Sequence, residues 1–316
     1  MSEAQALPTV SIVIPAYNHA RYLDEAIDSV LSQTYPSVQL IVIDDGSTDS
    51  TPQVLARRGK AVNWLRQDNR GQAATLERGW AMAAGEWLGY LSADDRLEPE
   101  AVASLLGCAR ARPELIAVYP DFTLLDPQSR PVRTVQAPDF DYTRMLERVE
   151  CPIGPGALFR REAYLAAGPW NGRYRQMPDY DFWLRIGLVG PIARLPQCLA
   201  AFRVHEGSQT FSAVSAARAD EPVHIVRAVL DHPRLAALGP DARARAIASA
   251  ELVSAQLHAR AGRLGEAWRC GMRALRRARG HVGTARVLRL MINAVANRFG
   301  HRLLWQLRSL LGHRRA

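Results

Sequence analysis

The chain has 316 residues, 48% of them hydrophobic, with 40 Lys and Arg against 31 Asp and Glu and a net charge of +9. That much apolar material can bury a sizeable core, which excludes global disorder. The cysteines, Cys108, Cys151, Cys198 and Cys270, stand far apart with no CxxC pair, which excludes a zinc ribbon or a dense disulfide framework.

The charge is uneven. Residues 215–316 carry 19 Arg and 6 acids, whereas residues 1–214 hold 21 basic and 25 acidic side chains. This asymmetry predicts a boundary near 215. The opening stretch lacks a basic segment followed by an apolar one, so no signal peptide is expected. No uncharged apolar run of about 18 residues predicts a spanning helix. Reduced thiols in a cytosol fit this reading.

"TVSIVIPAYN" (9–18) predicts a buried strand ending at Pro15, because its apolar residues crowd together without alternation, as in a parallel strand covered on both faces. "RYLDEAIDSVLSQTY" (21–35) predicts a helix through Leu23, Ile27, Val30 and Leu31. "VQLIVIDDGSTDST" (38–51) is a second buried strand, ending in acids, Gly and Ser, and Thr48, Asp49 or Ser50 is placed to cap the next helix. "AVNWLRQ" (61–67) is a third strand. "GQAATLERGWAMAAG" (71–85) is a helix closed by Gly85, and "EWLGYLSADD" (86–95) is a fourth strand. This alternation predicts βαβ units, a mostly parallel sheet, and ligands at the carboxyl ends of the strands. Asp44–Asp45 and Asp94–Asp95 both fall at such ends.

From 96 to 214 the pattern is mixed. Helices are predicted over 98–112 and 179–190, strands over 115–126 and 193–205, and a strand running into a helix over 156–168. Beyond 215 the chain reads as almost entirely helical. Over 283–311, leucines and other apolar residues recur at helical intervals between arginines. Such a stretch suits either an anionic membrane surface or packing beneath a basic outer face. Nucleic-acid binding is not expected, because no reader motif accompanies the charge.

Adjacent acids at a strand end repel each other and lose hydration, a problem that a cation removes. Taken singly, Asp94–Asp95 and Asp179 read equally well as helix caps, and His205 as a surface histidine. Their order along the chain narrows the choice. The segments "VSIVIPAYNHARYLDEAIDSVLSQTYPSVQLIVIDDGSTDST", "NRGQAATLERGW", "GEWLGYLSADDRLEPEAV", "DYDFWLRI" and "FRVHEGSQT" together resemble the family 2 glycosyltransferases over roughly residues 9–210.

The resemblance implies a GT-A fold over 1–214, an α/β Rossmann-like sheet, followed by a basic helical region over 215–316. It implies sugar transfer from a nucleotide-diphosphate donor, with a UDP-sugar expected, to a saccharide or lipid-linked hydroxyl acceptor. Inversion is expected, in surface polysaccharide or glycolipid synthesis at the inner face of the cell membrane. By the same likeness Pro15, Ala16, Tyr17, Asp44 and Asp45 hold the nucleoside, and Asp94 reaches the donor. Asp94, Asp95 and His205 meet a divalent metal, Mn²⁺ or Mg²⁺, and Asp179 is the general base. A hard divalent cation neutralises the charge building on a departing diphosphate, and a positioned carboxylate can take the acceptor's proton. Three positions depart from the family pattern: Ser92 where an Asp is common, Pro178 in place of the acid before the base, and Leu76 where an Arg is frequent. These departures keep open a non-catalytic nucleotide-binding scaffold, and a nucleotidyltransferase is the alternative among enzymes. Arg160, Arg161, Arg173 and Arg175 are candidates for an acidic acceptor, against the alternative of a solvated face, and Trp170 and Trp183 for a sugar platform, with core packing the alternative for Trp183.

Overall fold

Strand β1 (Val10–Ala16) is the axis of the first unit, and its residues alternate between two helical layers. Val10, Ile12, Ile14 and Ala16 face a core that also takes in Leu23, Ala26, Ile27 and Val30 of α1 (Leu23–Leu31) and Leu105 and Leu106 of α4 (Ala101–Ala111). Val13 faces the opposite way, beneath α3 (Gln72–Met82). There a Cβ on Gly79 would fall 2.4 Å from Val13 Cγ1, so only glycine lets this helix lie so near the strand. The computed structural model describes residues 7–205, 214–285, 287–289 and 292.

The remaining elements of this unit are β2 (Val38–Asp44), α2 (Thr51–Arg58), β3 (Asn63–Arg66), β4 (Trp87–Tyr90), β5 (Arg96–Leu97), β6 (Ala117–Leu125), β7 (Pro131–Val135), β8 (Leu158–Arg160), α6 (Arg161–Ala167), α7 (Pro178–Val189) and β9 (Ile192–Arg203), with α5 (Tyr142–Arg148) after β7. The strands form one sheet in the order β3-β2-β1-β4-β8-β6-β9-β5, with β7 alongside β6. Pairs β3/β2, β2/β1, β1/β4 and β6/β9 are parallel. The pairs made by β8, β5 and β7 are antiparallel. The sheet is therefore mixed, with the expected βαβ half at one end.

Two boundaries differ from the sequence reading. β1 continues through Pro15 to Ala16. The carbonyl of Val13 accepts from Leu91 N on the β4 side, and the last β1/β4 pair is Val13 with Tyr90. Pro15, two residues further along, faces that same side where β4 has ended, so its missing N–H costs no ladder bond. Helix α3 ends at Met82 with Ala83 as its cap, so Gly85 does not close it. Gly85 instead lies against β1, where a Cβ would sit 2.6 Å from Ser11 N, and its N–H donates to Ser11 Oγ.

The second unit takes in Gln209–Ala316 together with Thr143–Glu150 and Tyr174–Met177, two stretches that a boundary at 215 leaves in the first region. Its described elements are helices, as the Ala, Leu and Arg content predicts: α8 (Ala216–Ala219), α9 (Glu221–Leu230), α10 (Pro240–Arg260), α11 (Leu264–Arg277) and α12 (Arg279–Val282). Ala248 and Leu252 of α10 pack with Ala274 of α11. The buried carboxylate of Glu221 accepts the backbone N–H groups of Arg175, Gln176 and Met177 at 2.6–3.2 Å, which fixes a turn that would otherwise leave three donors unpaired. His258 accepts from Arg263 Nε through Nδ1 and donates through Nε2 to Asp220. The amphipathic stretch over 283–311 lies mostly outside the described residues. Within its described part Val287 is buried, and Leu288 and Ile292 are exposed.

Candidate active site

The carboxyl ends of β1, β2 and β4 open on one side of the sheet, and four loops meet there. After β1, Asn18 adopts a left-handed backbone (φ 57°), and its Oδ1 accepts Thr48 N at 2.8 Å. Its own N–H donates to Ser47 Oγ at 2.9 Å. These bonds tie the first loop to the "DDGS" turn. That turn needs Gly46, whose φ is 77° and where a Cβ would meet Asn69 N at 2.8 Å.

The expected nucleoside residues are gathered here. Ala16 is buried and Tyr17 half exposed. Asp44 is fully buried, with Oδ1 accepting Ser47 N at 2.9 Å. Its Oδ2 has Arg66 Nε at 3.3 Å, outside hydrogen-bond geometry, and so has no hydrogen-bond partner. Asp45 is fully engaged: Oδ1 accepts Gln67 Nε2 and Arg70 N, and Oδ2 accepts Gly71 N. Asp44 therefore retains one acceptor position, whereas Asp45 binds the loop that leads into α3. Neither Thr48 nor Ser50 caps α2 through its side chain. Asp49 Oδ1 accepts Thr51 N instead.

Asp94 and Asp95 lie in the turn between β4 and β5, well before α4 starts at Ala101, so neither is a helix cap. The two carboxylates point to different partners. Asp94 Oδ2 has His205 Nε2 at 2.9 Å and His19 Nε2 at 3.6 Å. Asp95 Oδ1 accepts the backbone N–H of Arg203 at 2.9 Å. Burial works against an ionised Asp94, but hydrogen bonding and charge from His19, together with the bond to His205, outweigh it and hold the carboxyl below the ordinary range. Burial, reinforced by the charge on Asp94, pushes Asp95 well above that range. The pair is thus pushed apart, one carboxyl below and the other above the ordinary range, as like charges forced together are.

Two residues of this site were missed in the sequence. Arg203 has a fully buried side chain that holds the turn from behind. Its Nε donates to Asp94 O at 2.8 Å, one terminal nitrogen to Ser129 Oγ and the other to Glu25 Oε2, both at 2.7 Å, and its guanidinium lies 4.5 Å from the Tyr22 ring centre. Its place two residues before His205, on the same strand end, was the available signal. His19 is the second, in the loop after β1, and nothing local distinguishes it from a surface histidine.

Asp179 is in the first turn of α7, where the backbone N–H of Tyr180 draws its pKa down, yet burial dominates and raises it above the ordinary carboxylate range. Asp179 and Asp95 both line a cleft of about 360 Å³, whose other walls include Ser92, Phe122, Ile153 and Phe202. Asp181 is already occupied by Arg185, one turn on, at 2.8 Å. The remaining acceptor candidates lie elsewhere. Trp170 and Trp183 are buried at 3% and 1% exposure, stacked or edge-on with Phe182. Arg160 donates to the carbonyls of Leu115 and Pro113, and Arg161 to those of Gly85 and Ala83.

The donor set around Asp94 suits a divalent ion. His19, Asp94 and His205 each offer one ligand atom, and these atoms lie within 4.8 Å of one another. Two imidazole nitrogens and a carboxylate oxygen are ligands that manganese and its neighbours accept. A second grouping, Asp220, His258 and Cys270, meets the same spacing. There Arg263 occupies His258 Nδ1 and leaves the proton on Nε2, which donates to Asp220, so hydrogen bonding alone accounts for it.

Comparison with known proteins bears on the family and the fold. Residues 11–166 match the model of "Glycosyl transferase family 2". An uncharacterised glycosyltransferase of Rickettsia typhi is 28% identical over 218 residues, covering 66% of this chain and 68% of the relative. Chondroitin synthase of Escherichia coli is 28% identical over 208 residues, covering 65% of this chain and 30% of the synthase. Among solved structures, S. aureus TarS 1-349 in complex with UDP-GlcNAc aligns with a TM-score of 0.66 at 16% identity, covering 92% of each chain. The mannosyltransferase PcManGT of Pyrobaculum calidifontis, in complex with GDP-Man and Mn²⁺, aligns with a TM-score of 0.54 at 22% identity, over 94% of this chain and 88% of that one. Residues 11–166, just under half of the chain, thus match glycosyl transferase family 2, and the mixed, mostly parallel sheet with acids at its strand ends is the GT-A fold of these solved structures.

Proposed function

We propose that the protein transfers a sugar from a nucleoside-diphosphate donor, a UDP-sugar, to a hydroxyl of a saccharide or lipid-linked acceptor, with inversion. The observation that carries this reading is the shared cleft: Asp179, buried and raised in pKa, faces the same space as Asp95, whose neighbour Asp94 sits between two histidines. In this reading the loop Pro15–Tyr17, with Asp44 and Asp45, receives the nucleoside. Asp94 and His205 hold a divalent cation, Mn²⁺ or Mg²⁺, with Asp95 beside them at the cleft wall. When bound, such a cation neutralises charge on the diphosphate. Asp179 accepts the acceptor's hydroxyl proton as that oxygen bonds to the anomeric carbon. The bond from that carbon to the diphosphate oxygen breaks, and the electron pair leaves with the nucleoside diphosphate.

Incubation of the full chain with nucleotide-sugars and Mn²⁺ should release nucleoside diphosphate, and the cognate donor should raise the melting temperature by mass action. Release of pyrophosphate would make the protein a nucleotidyltransferase. Stabilisation by donor with no turnover against any saccharide or lipid-linked acceptor would make it a scaffold.

The basic stretch supports a second part of the reading, attachment to an anionic membrane surface where lipid-linked acceptors are presented. None of the described helices is long and apolar enough to cross a membrane. Twelve Arg and no acid follow Glu266. Each Arg near such a surface contributes about 1 kcal/mol. The protein should sediment with vesicles containing phosphatidylserine at low salt and be released as salt screens the charge. Equal recovery with neutral and anionic vesicles would exclude the attachment.

A further inference from the structure

The function proposed above gives His19 no role of its own, yet its geometry is that of a prepared ligand. Its Nδ1 lies 2.7 Å from the carbonyl oxygen of Tyr17. A carbonyl only accepts, so Nδ1 carries the hydrogen, and in the neutral ring the lone pair is on Nε2. That nitrogen points at Asp94 Oδ2, 3.6 Å away. The distance is too long for a good hydrogen bond; a protonated ring would make the ion pair that draws Asp94 below its ordinary range, whereas the neutral ring turns a lone pair toward a carboxylate oxygen, and a cation between them removes that repulsion. His205 Nε2 approaches the same oxygen from another strand end, with its ring centre 6.4 Å from that of His19. The imidazole of His19 is oriented by a backbone carbonyl, the arrangement that fixes tautomer and ring position at metal-bound histidines. The loop that carries it is held as well: His19 N donates to Thr51 Oγ1 at 3.0 Å, and Ala20 N to Asp49 Oδ2 at 3.1 Å.

We infer that His19 is a third protein ligand, and that His19, Asp94 and His205 form a metal site able to bind a divalent transition-metal ion before any nucleotide arrives. The inference rests on the reading of Asp94 and His205 as metal ligands. Two consequences separate it from a site built on a single carboxylate. A set of two imidazoles and one carboxylate favours Mn²⁺, Co²⁺ or Zn²⁺ over Mg²⁺, which prefers oxygen ligands and keeps its waters. Three protein ligands also leave positions open on an octahedral ion, so diphosphate oxygens can join without displacing a side chain.

The test uses the full chain without nucleotide and Co²⁺ as the probe, followed by titration calorimetry and by proton NMR of the paramagnetic complex. Wild type should bind one Co²⁺ and show two hyperfine-shifted imidazole N–H signals, one for each histidine. His19→Ala should lose one signal and at least the 10–100-fold in Co²⁺ affinity that removal of a mere supporting partner costs, while its weak Mg²⁺ affinity changes little. His19→Gln checks that any loss does not come from loop collapse, and circular dichroism reports folding of both variants. A wild type that binds no Co²⁺ without nucleotide, or that shows a single shifted N–H, overturns the inference. So does a folded His19→Ala protein whose Co²⁺ affinity is unchanged, in which case His19 is an ion-pair partner of Asp94 only. If nucleoside diphosphate binds with Mn²⁺ equally well to wild type and to His19→Ala, the transferase reading stands and the third ligand falls. If the three-ligand signature appears but no nucleotide binds with any metal, the metal site stands and the transferase reading falls.

Discussion

Replacing Asp179 by Asn should lower sugar transfer by roughly 10²–10⁴-fold, the usual worth of a positioned general base, while leaving donor affinity near that of wild type. The amide keeps the shape of the carboxyl in the cleft but cannot take a proton. Transfer by the wild type should also fall as pH is lowered, because a protonated Asp179 cannot act as base. The fall should begin at a higher pH than an ordinary carboxylate would give, because burial raises this group. Stability should move in the opposite direction. The folded-state pKa lies above the ordinary value of 3.8. Between the two, the native state holds a proton that the unfolded chain has released, so stability declines as pH rises through that interval. Asn carries no such penalty, and the variant should melt at a higher temperature than wild type near neutral pH. Single-turnover transfer rates and thermal melts across pH check both halves. A variant that transfers sugar at the wild-type rate removes Asp179 from the chemistry and leaves it a residue of the first helical turn.

The second large effect is expected at Asp94. Its Oδ2 is the atom that both histidines approach, so Asp94→Ala should remove the difference between nucleoside-diphosphate affinity in Mn²⁺ and in chelator. The loss should be at least the 10–100-fold attached to supporting residues. Here the stability sign is the reverse of that for Asp179. The folded Asp94 titrates below the ordinary 3.8, so its stabilising contribution is fully present above that value and disappears as pH falls through the folded pKa. Asp94→Ala should therefore melt somewhat below wild type at neutral pH and approach it in acid. Removing this charge also relieves Asp95, whose raised pKa owes part of its shift to its neighbour. Isothermal titration with and without chelator is the deciding measurement. Equal nucleotide affinity of wild type in Mn²⁺ and in chelator would show that binding does not pass through this carboxylate.

The outcomes for these two acids depend on burial, which explains why some of the site could be read from the chain and some could not. Strand β1 and strand β2 were legible because a parallel strand covered on both faces is apolar at successive positions, and "IVI" (12–14) and "LIVI" (40–43) are. The acids that end such strands were legible because the carboxyl edge of a parallel sheet is where ligands bind. Periodicity also placed α1, α4 and α7 to within a few residues. It misplaced the end of α3, because a glycine needed for close contact with β1 resembles a helix stop in a linear string.

What only the tertiary structure decided was the company each side chain keeps. The adjacent acids Asp94 and Asp95 look equivalent in sequence. The fold gives one two histidines and the other a backbone N–H and a cleft wall, and so shifts their pKa values in opposite directions. Asp44 and Asp45 likewise differ only in what surrounds them, with three donors filling Asp45 and one acceptor position left on Asp44. His19 carries no local mark and Arg203 only its closeness to His205, because their partners arrive from loops and strands far along the chain. Periodicity and turn chemistry act over a few residues, so the sequence by itself determined which strands and helices form and which strand ends bear acids. Desolvation, ion pairing and ligand convergence act through space, and these alone decided which acid is drawn below the ordinary range, which is pushed above it, and where a cation can be held.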